Sequence, residues 1–536
     1  MSATATAPAR GRDDEPAPAW QRVAPILAAA ALALGYVIVS PPSLDLAAHL
    51  FRAKLFSIEG FGLWDNYWYA GHHTPGYSVL FPPLAALLTP QVLGALSAVA
   101  TAAAFEPLAR RRFGREAWLG TLWFGAATAV DLYTGRLTFA FGLLPCVGVA
   151  LALQRRHDLT AAGLAVLTAL ASPVAALFAA LVAAACAVAR FDADRRVRVA
   201  LAPVAVAAAA LVPVLVLTVL FPEGGSEPFT FATLWPIPLI AVIALIALPR
   251  RDSALRAGIV LYVAGCLISY AIVSPVGSNA ARLAPLLAGP LAALIWSPKR
   301  RALLLAIALP TLYIQWQAPV RDARTAWGDP STEASYYQPV LRFLARQGGG
   351  PFRVEIPFTR FHGEAYYIAP AFPIARGWER QLDIKDNTLF YSTPLTAQTY
   401  YAWLRSLAIH YVAVSEGPVD YSAKDEIALL KRGLPYLTPV MHSRYWQIYA
   451  VQGATPLGQG AASVTALGAN SVTLHVTRPG SAFLRVRFTP YWRLTGVPGC
   501  VAKAGEFTRV SLRSTGTAKL VIAFSLGRIT ATNPRC

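Results

Sequence analysis

The chain has 536 residues, 55% of them hydrophobic and 14% charged, against roughly 25% charged in a soluble domain. Repeated apolar runs separated by short basic loops from Trp20 to Gln317 exclude an ordinary soluble enzyme for that part. The formal net charge of +19 does not indicate a nucleic-acid binder, because much of the excess sits in those loops, where it sets membrane orientation.

A crossing helix needs about 20 apolar residues. After a cytoplasmic leader, residues 1–21, the first span is expected near Val23–Val39. It reads as a retained anchor, since the leader is long and polar and no clear cleavage site follows. Residues 41–77 are then the first outer loop. Further spans are expected near 84–108, 117–133 and 137–153, followed by two short helices over 159–190 that turn at Ser172-Pro173. The last fall near 199–220, 234–248, 256–273, 282–296 and 301–317. That makes about eleven. Arg110-Arg111-Arg112, Arg155-Arg156, Arg190 to Arg198, Arg250-Arg251 and Lys299-Arg300-Arg301 then all share the cytoplasmic side with the amino terminus. An odd number of spans puts everything after Trp316 outside.

The expected fold is therefore a polytopic α-helical membrane bundle, residues 22–317, carrying a carboxy-terminal extracytoplasmic region. Residues 318–455 read as an α/β domain, with a helix over Pro339–Arg346 and strands over Phe352–Ile356 and Ile409–Val414. Residues 456–536 read as a β-sandwich, from the alternating runs Val472–Val476, Phe483–Phe488 and Lys519–Phe524. Cys146, Cys186 and Cys266 lie in apolar runs. Cys500 and Cys536 lie outside, where an oxidising compartment permits a disulfide.

Charges near membrane depth are costly and mark candidate sites. In a helix over 44–58, Asp45, His49 and Arg52 fall at i, i+4 and i+7 and share one face. Leu44, Ala48, Phe51, Leu55 and Ile58 make the opposite face. This suits a helix lying in the interface plane, its polar face toward a cavity. Asp131 and Arg136 bracket a short turn, and Arg282 sits just inside an outer edge. Positive-inside statistics disfavour arginine there, whereas a guanidinium binds phosphate bidentately. His72-His73 has no certain third ligand nearby, so bonding to a sugar or to the loop itself is favoured over metal binding.

These residues resemble the signature of GT-C type membrane glycosyltransferases, nearest the bacterial branch of YfhO-like and "6-pyruvoyl-tetrahydropterin synthase related" membrane proteins. The shared pattern is an acid with a nearby histidine after the first span, then Trp-Asn/Tyr-Gly, then an aromatic-Pro-Pro-Leu run. Here it reads Asp45…His49, Trp64…Tyr69-Ala70-Gly71 and Phe81-Pro82-Pro83-Leu84. Gly135-Arg136-Leu137, Ser172-Pro173, Asn279…Arg282…Pro285, Arg376 to Gln381 and Tyr491-Trp492-Arg493 are similar too. The paired acid of protein mannosyltransferases is absent, because Leu46 follows Asp45.

The resemblance implies transfer of a sugar from a polyprenyl-phosphate donor to a glycan, lipid or protein acceptor of the cell envelope, at the outer face of a bacterial plasma membrane. It implies Asp45 as the catalytic base, with Asp65 the runner-up and His49 orienting Asp45 or bonding the phosphate. Arg282, Arg136 and Arg52 are the candidates for the donor phosphate. Tyr67, Trp68, Tyr69, His72, His73 and Trp378 are the candidates for sugar and acceptor. No cofactor is implied with certainty, a divalent cation being the one allowed for, and no metal ligand set is identified. The rival readings are a lipid-linked sugar transporter or flippase and a non-enzymatic envelope-binding protein. Against transport, no inverted repeat is found and the charges gather at one face rather than at the midplane.

Overall fold

A computed structural model describes residues 18–296, 301–392 and 394–528. The amino-terminal part is helical: α1 (Ala19–Val39), α2 (Leu46–Glu59), α3 (Phe81–Leu88), α4 (Pro90–Phe113), α5 (Trp118–Tyr133), α6 (Leu137–Gln154) and α7 (Asp158–Ala171). It continues with α8 (Pro173–Asp194), α9 (Val197–Leu220), α10 (Phe231–Leu234), α11 (Pro236–Ala247), α12 (Ser253–Ala271), α13 (Leu283–Trp296) and α14 (Arg301–Ala326). A two-stranded ribbon, β1 (Trp64–Asp65) with β2 (His72–His73), closes the first long loop.

Among the described residues, eight stretches are long and apolar enough to cross a membrane. One is the 44-residue Pro90–Tyr133, in which α4 and α5 join through a tight turn, and Asp158–Ala171 and Phe231–Ala247 are shorter apolar helices. The segments expected as spans are all helical, with shifted boundaries: the last runs on to Ala326, and the run expected over 234–248 is split between α10 and α11. The run expected from residue 84 breaks at Thr89, whose φ is 71°, and its hydroxyl accepts the Val92 N–H at 3.4 Å. Pro90 fits the first position of the new helix because its missing N–H is an orphan there anyway. Ser172 makes the expected turn in the same way, extended, with Oγ accepting the Ala175 N–H and Pro173 following.

Small residues let these helices approach. A Cβ on Gly125 would stand 2.3 Å from the Pro25 carbonyl oxygen, and Ala161, Ala165, Ala175, Ala179, Ala183 and Ala210 share one core. Close packing is what holds helices together in lipid, which offers no hydrophobic drive between them. α9 and α12 instead bury few side chains, Pro203, Val206 and Ala210 in one and Cys266 in the other.

The next region holds α15 (Ala334–Leu344), β3 (Arg353–Glu355), α16 (Glu364–Tyr367), α17 (Arg380–Asp386), α18 (Ala397–Ser406), β4 (Ile409–Ser415), α19 (Lys424–Lys431), β5 (Leu437–His442) and β6 (Trp446–Val451). Its sheet order is β3-β4-β6-β5, with β3 and β4 parallel and the other pairs antiparallel. The last strands are β7 (Gly458–Gly460), β8 (Ala462–Gly468), β9 (Ser471–Val476), β10 (Gly480–Arg487), β11 (Trp492–Thr495), β12 (Gly499–Ala504), β13 (Phe507–Leu512) and β14 (Gly516–Ile522). They form two four-stranded sheets, β12-β13-β10-β7 and β11-β14-β9-β8. Alternate residues Val472, Leu474 and Val476 join Leu484, Val486, Val510 and Leu520 in the shared core.

α2 departs from the interface helix expected of it. Ala48 and Phe51 are as buried as His49 and Arg52. Phe51 stacks on Trp68, ring centres 4.1 Å apart, in a core shared with Tyr337, Ile356 and Trp446. The α/β region thus covers the face read as lipid-facing, and of that face only the far end at Ile58 is exposed. Cys146, Cys186 and Cys266 are free thiols. Cys536, Lys299, Arg300 and the leader as far as residue 17 lie outside the described residues.

Candidate functional site

Four segments meet where α1 ends, α6 begins, α13 begins and α14 ends. Asp45 precedes α2 and its side chain makes no capping bond. The turn before α6 can nestle against it because residue 135 is glycine. Its φ is +73°, and a Cβ there would stand 2.2 Å from Ser43 Oγ. Arg136 follows directly. A 3-10 turn, Gly277–Arg282, leads into α13. Gly277, at φ +41°, leaves room for the backbone of Glu227, whose carbonyl oxygen would be 1.9 Å from a Cβ. Glu227 donates its N–H to the Ser274 carbonyl at 3.0 Å, and its carboxylate accepts from Ser278 Oγ at 3.0 Å. α14 supplies Arg321 and Asp322.

These segments enclose a cavity of about 190 Å³, lined by three carboxylates, Asp45, Glu227 and Asp322, and three guanidinium groups, Arg136, Arg282 and Arg321. Thr134, Ser278 and Asn279 add neutral polar groups, Leu44 and Ala318 apolar ones. The charges are not equally committed. Arg321 holds Asp322 at 3.0 Å, and Arg136 stands 4.0 Å from Asp131. Among the described residues, the side chain of neither Asp45 nor Arg282 has an ion pair or hydrogen bond; the Arg282 guanidinium lies 5.4 Å from the Phe139 ring centre. A carboxylate and a guanidinium therefore face one cavity with their bonding capacity free. Burial raises the carboxyl of Glu227 above its ordinary range, against the lowering effect of Ser278 and Arg282.

The other candidates lie elsewhere. His49 is buried, with Nδ1 3.2 Å from Thr138 Oγ1 and its ring 5.2 Å from that of Phe81. Burial, helped by Arg52, lowers it to about 3, so it is neutral; it makes no bond to Asp45. Arg52 donates to Glu379 at 2.5 Å and lies 3.7 Å from the Tyr77 ring centre, so its charge is already used. Asp65 is fully buried in the ribbon, where it accepts the Tyr67 N–H at 2.9 Å and lies 3.8 Å from His72 Nδ1. Burial raises it to about 7.

The six aromatic and histidine candidates form a joint rather than a lining. Trp68 stacks between Phe51 and His72. The Tyr69 hydroxyl donates to the Gly377 carbonyl and accepts the Glu379 N–H at 2.9 Å. Tyr67 is half-buried, its carbonyl accepting from Ile374 at 2.9 Å. His73 pairs with Glu223 at 2.7 Å and Thr489 at 3.0 Å. Trp378 stacks flat on His362 at 3.3 Å. None of the six lines the cavity. Large rings carry more apolar surface than any other side chain, so burial in a domain joint outweighs exposure to a ligand here.

Sequence reasoning missed Glu227, Arg321 and Asp322. The signal was present: two acids in Pro222-Glu-Gly-Gly-Ser-Glu-Pro228 on the side read as outer, and an Arg-Asp pair just after the last apolar run. Among the described residues no group of three His, Cys, Asp or Glu side chains is placed to hold a metal ion.

No protein-family model and no curated protein matches the chain. Among solved structures, the chain is similar to the mycobacterial arabinofuranosyltransferase AftD, at 14% identity and a TM-score of 0.40, over 97% of this chain and 58% of that one. It is also similar to an oligosaccharyltransferase of Archaeoglobus fulgidus, at 12% identity and a TM-score of 0.46, over 74% of this chain and 70% of that one. The chain thus spans little more than half the length of the arabinofuranosyltransferase. Both are glycosyltransferases of the membrane GT-C type, and neither bears on the YfhO-like branch. Similarity at this level assigns no activity to this chain.

Proposed function

We propose that the chain is a membrane glycosyltransferase that moves a sugar from a polyprenyl-phosphate donor to a cell-envelope acceptor, at the outer face of a bacterial plasma membrane. The observation that carries this reading is the uncommitted pair, Asp45 and Arg282, lining one polar cavity at the end of an apolar bundle. An acceptor hydroxyl needs a base within hydrogen-bond reach as it attacks the anomeric carbon. Asp45 takes that proton while the acceptor oxygen bonds to the anomeric carbon. The bond from that carbon to the lipid phosphate breaks, and the phosphate leaves with the electron pair. Arg282, with Arg136 beside it, stabilises the charge gathering on the phosphate. This is a single displacement with inversion. Arg52 and Asp65 drop out of the reaction, since one is bound to Glu379 and the other is sealed in the ribbon.

Asp45→Asn keeps the shape of the side chain and removes the base. It is expected to abolish transfer from polyprenyl-phosphate sugars in proteoliposomes, with yield and thermal midpoint unchanged. Full activity in that variant sinks the assignment. Gradient-driven sugar uptake without transfer by the wild type supports the transporter instead.

A further inference from the structure

The loop joining α9 to α10 is tied to three other parts of the molecule. Glu223 binds His73 of the first outer loop, and its carbonyl accepts from Lys385 on α17. Gly225 lies so close to α17 that a Cβ would stand 2.2 Å from the Gln381 carbonyl oxygen. Glu227 bonds the Ser274–Ser278 segment and reaches the cavity that holds Asp45. The loop therefore delivers a carboxylate to the cavity from the side on which the α/β region sits.

That side carries an aromatic platform. Tyr421 is 57% exposed. The Arg380 guanidinium lies 4.5 Å from its ring centre and 4.7 Å from that of Trp378. Asp420 fixes Arg380 with two hydrogen bonds of 3.0 Å. Arg380 is the residue next to Gln381, on which the loop rests, and Arg380 and Tyr421 both lie within electrostatic reach of Glu227.

We propose that Glu227 and Tyr421 form an acceptor subsite for a neutral, polyhydroxylated glycan running from the cavity onto the α/β region. The proposal rests on the glycosyl-transfer reading and names its acceptor class. Sugar hydroxyls donate to a carboxylate such as that of Glu227, whose second oxygen is not used by Ser278. The apolar face of a sugar ring packs on an exposed phenol ring. An anionic glycan is disfavoured on the α/β side of the cavity, because Glu227 repels it there and Asp420 already neutralises Arg380.

The test is calorimetric titration of the full chain in lipid nanodiscs with neutral tetrasaccharides of mannose, galactose and arabinose, and separately with a polyprenyl phosphate. Glu227→Gln and Tyr421→Ala are each expected to weaken tetrasaccharide binding about tenfold or more and to leave polyprenyl-phosphate binding unchanged. Arg282→Ala is expected to do the reverse. Tyr421→Ala removes a ring that is more than half exposed, and an unchanged thermal midpoint confirms that the variant folds. Unchanged tetrasaccharide affinity in both variants, loss of polyprenyl-phosphate binding in Glu227→Gln, or no tetrasaccharide binding by the wild type overturns the subsite. Binding is read without turnover. A chain that transfers no sugar yet loses the tetrasaccharide on Glu227→Gln fails as an enzyme and keeps the subsite.

Discussion

Buried ionisable groups outside the bundle give stability a pH dependence with two opposing limbs. Burial raises Asp65 to about 7 and Glu364 to about 8, and it raises the neighbouring carboxyls of Glu355 and Glu426 above their ordinary range. Their folded-state values exceed the unfolded ones, so the native state holds protons that the unfolded chain has lost. Stability then falls as pH rises from about 4.5 towards 8. His72 acts in the other direction. Burial lowers it to about 4, so its contribution is present above the unfolded value near 6.5 and is lost as pH falls through 4. Glu364→Gln keeps the site neutral at every pH. It is expected to flatten the alkaline limb of the thermal midpoint measured from pH 5 to 8.5. An unaltered limb would mean that Glu364 is ionised in the native state.

α2 and the turn before α6 show how an element places chemistry. The hydrophobic runs made the helices legible, because a span must satisfy its backbone internally and show apolar side chains to lipid. They did not reveal the break at Thr89, where the apolar run continues across two helices. Nor could periodicity tell that the apolar face of α2 meets protein. Both faces of that helix are buried, and only the partner surface distinguishes a domain from a bilayer. The turn is more local. Gly135→Ala forces a side chain into the left-handed region, at about 1–2 kcal/mol, and pushes Ser43 Oγ away. The expected result is a folded protein with transfer reduced about tenfold, because Arg136 and Asp45 no longer share their present spacing. A rate equal to wild type, with a normal thermal midpoint, would show that this turn does not set the cavity.

On the scale of the whole molecule, the long loop between α1 and α3 is the joint between bundle, α/β region and sandwich. Asn66 illustrates this. Its N–H donates to the Ala469 carbonyl and its side-chain amide to the Gly468 carbonyl, each at 2.8 Å, while its oxygen accepts from Trp64 Nε1 at 2.7 Å. Arg487 on β10 donates to the Tyr69 carbonyl at 2.8 Å. Asn66→Ala leaves the buried Trp64 N–H without its partner, at roughly 1–3 kcal/mol, and loses the bond to the half-buried Gly468 carbonyl. Limited proteolysis is expected to cut between the α/β region and the sandwich sooner than in wild type. Equal cleavage rates would place the holding force elsewhere.

The sequence by itself determined which part of the chain is an apolar helical bundle and singled out Asp45, Arg136 and Arg282, which the fold brings to one cavity, since a charge stands out beside an apolar run. It also carried the strands of the sandwich, because alternation is a period-two property of neighbours. The tertiary structure decided which polar groups remain free. Arg52 reads like Arg282 until Glu379, 327 residues away, is seen to hold it. The aromatic residues of the first loop read like a sugar site until the regions that bury them are seen. Burial and pairing are set by partners distant in the chain. No local pattern reports them, and they separate the two uncommitted charges of the cavity, Asp45 and Arg282, from the many that hold the molecule together.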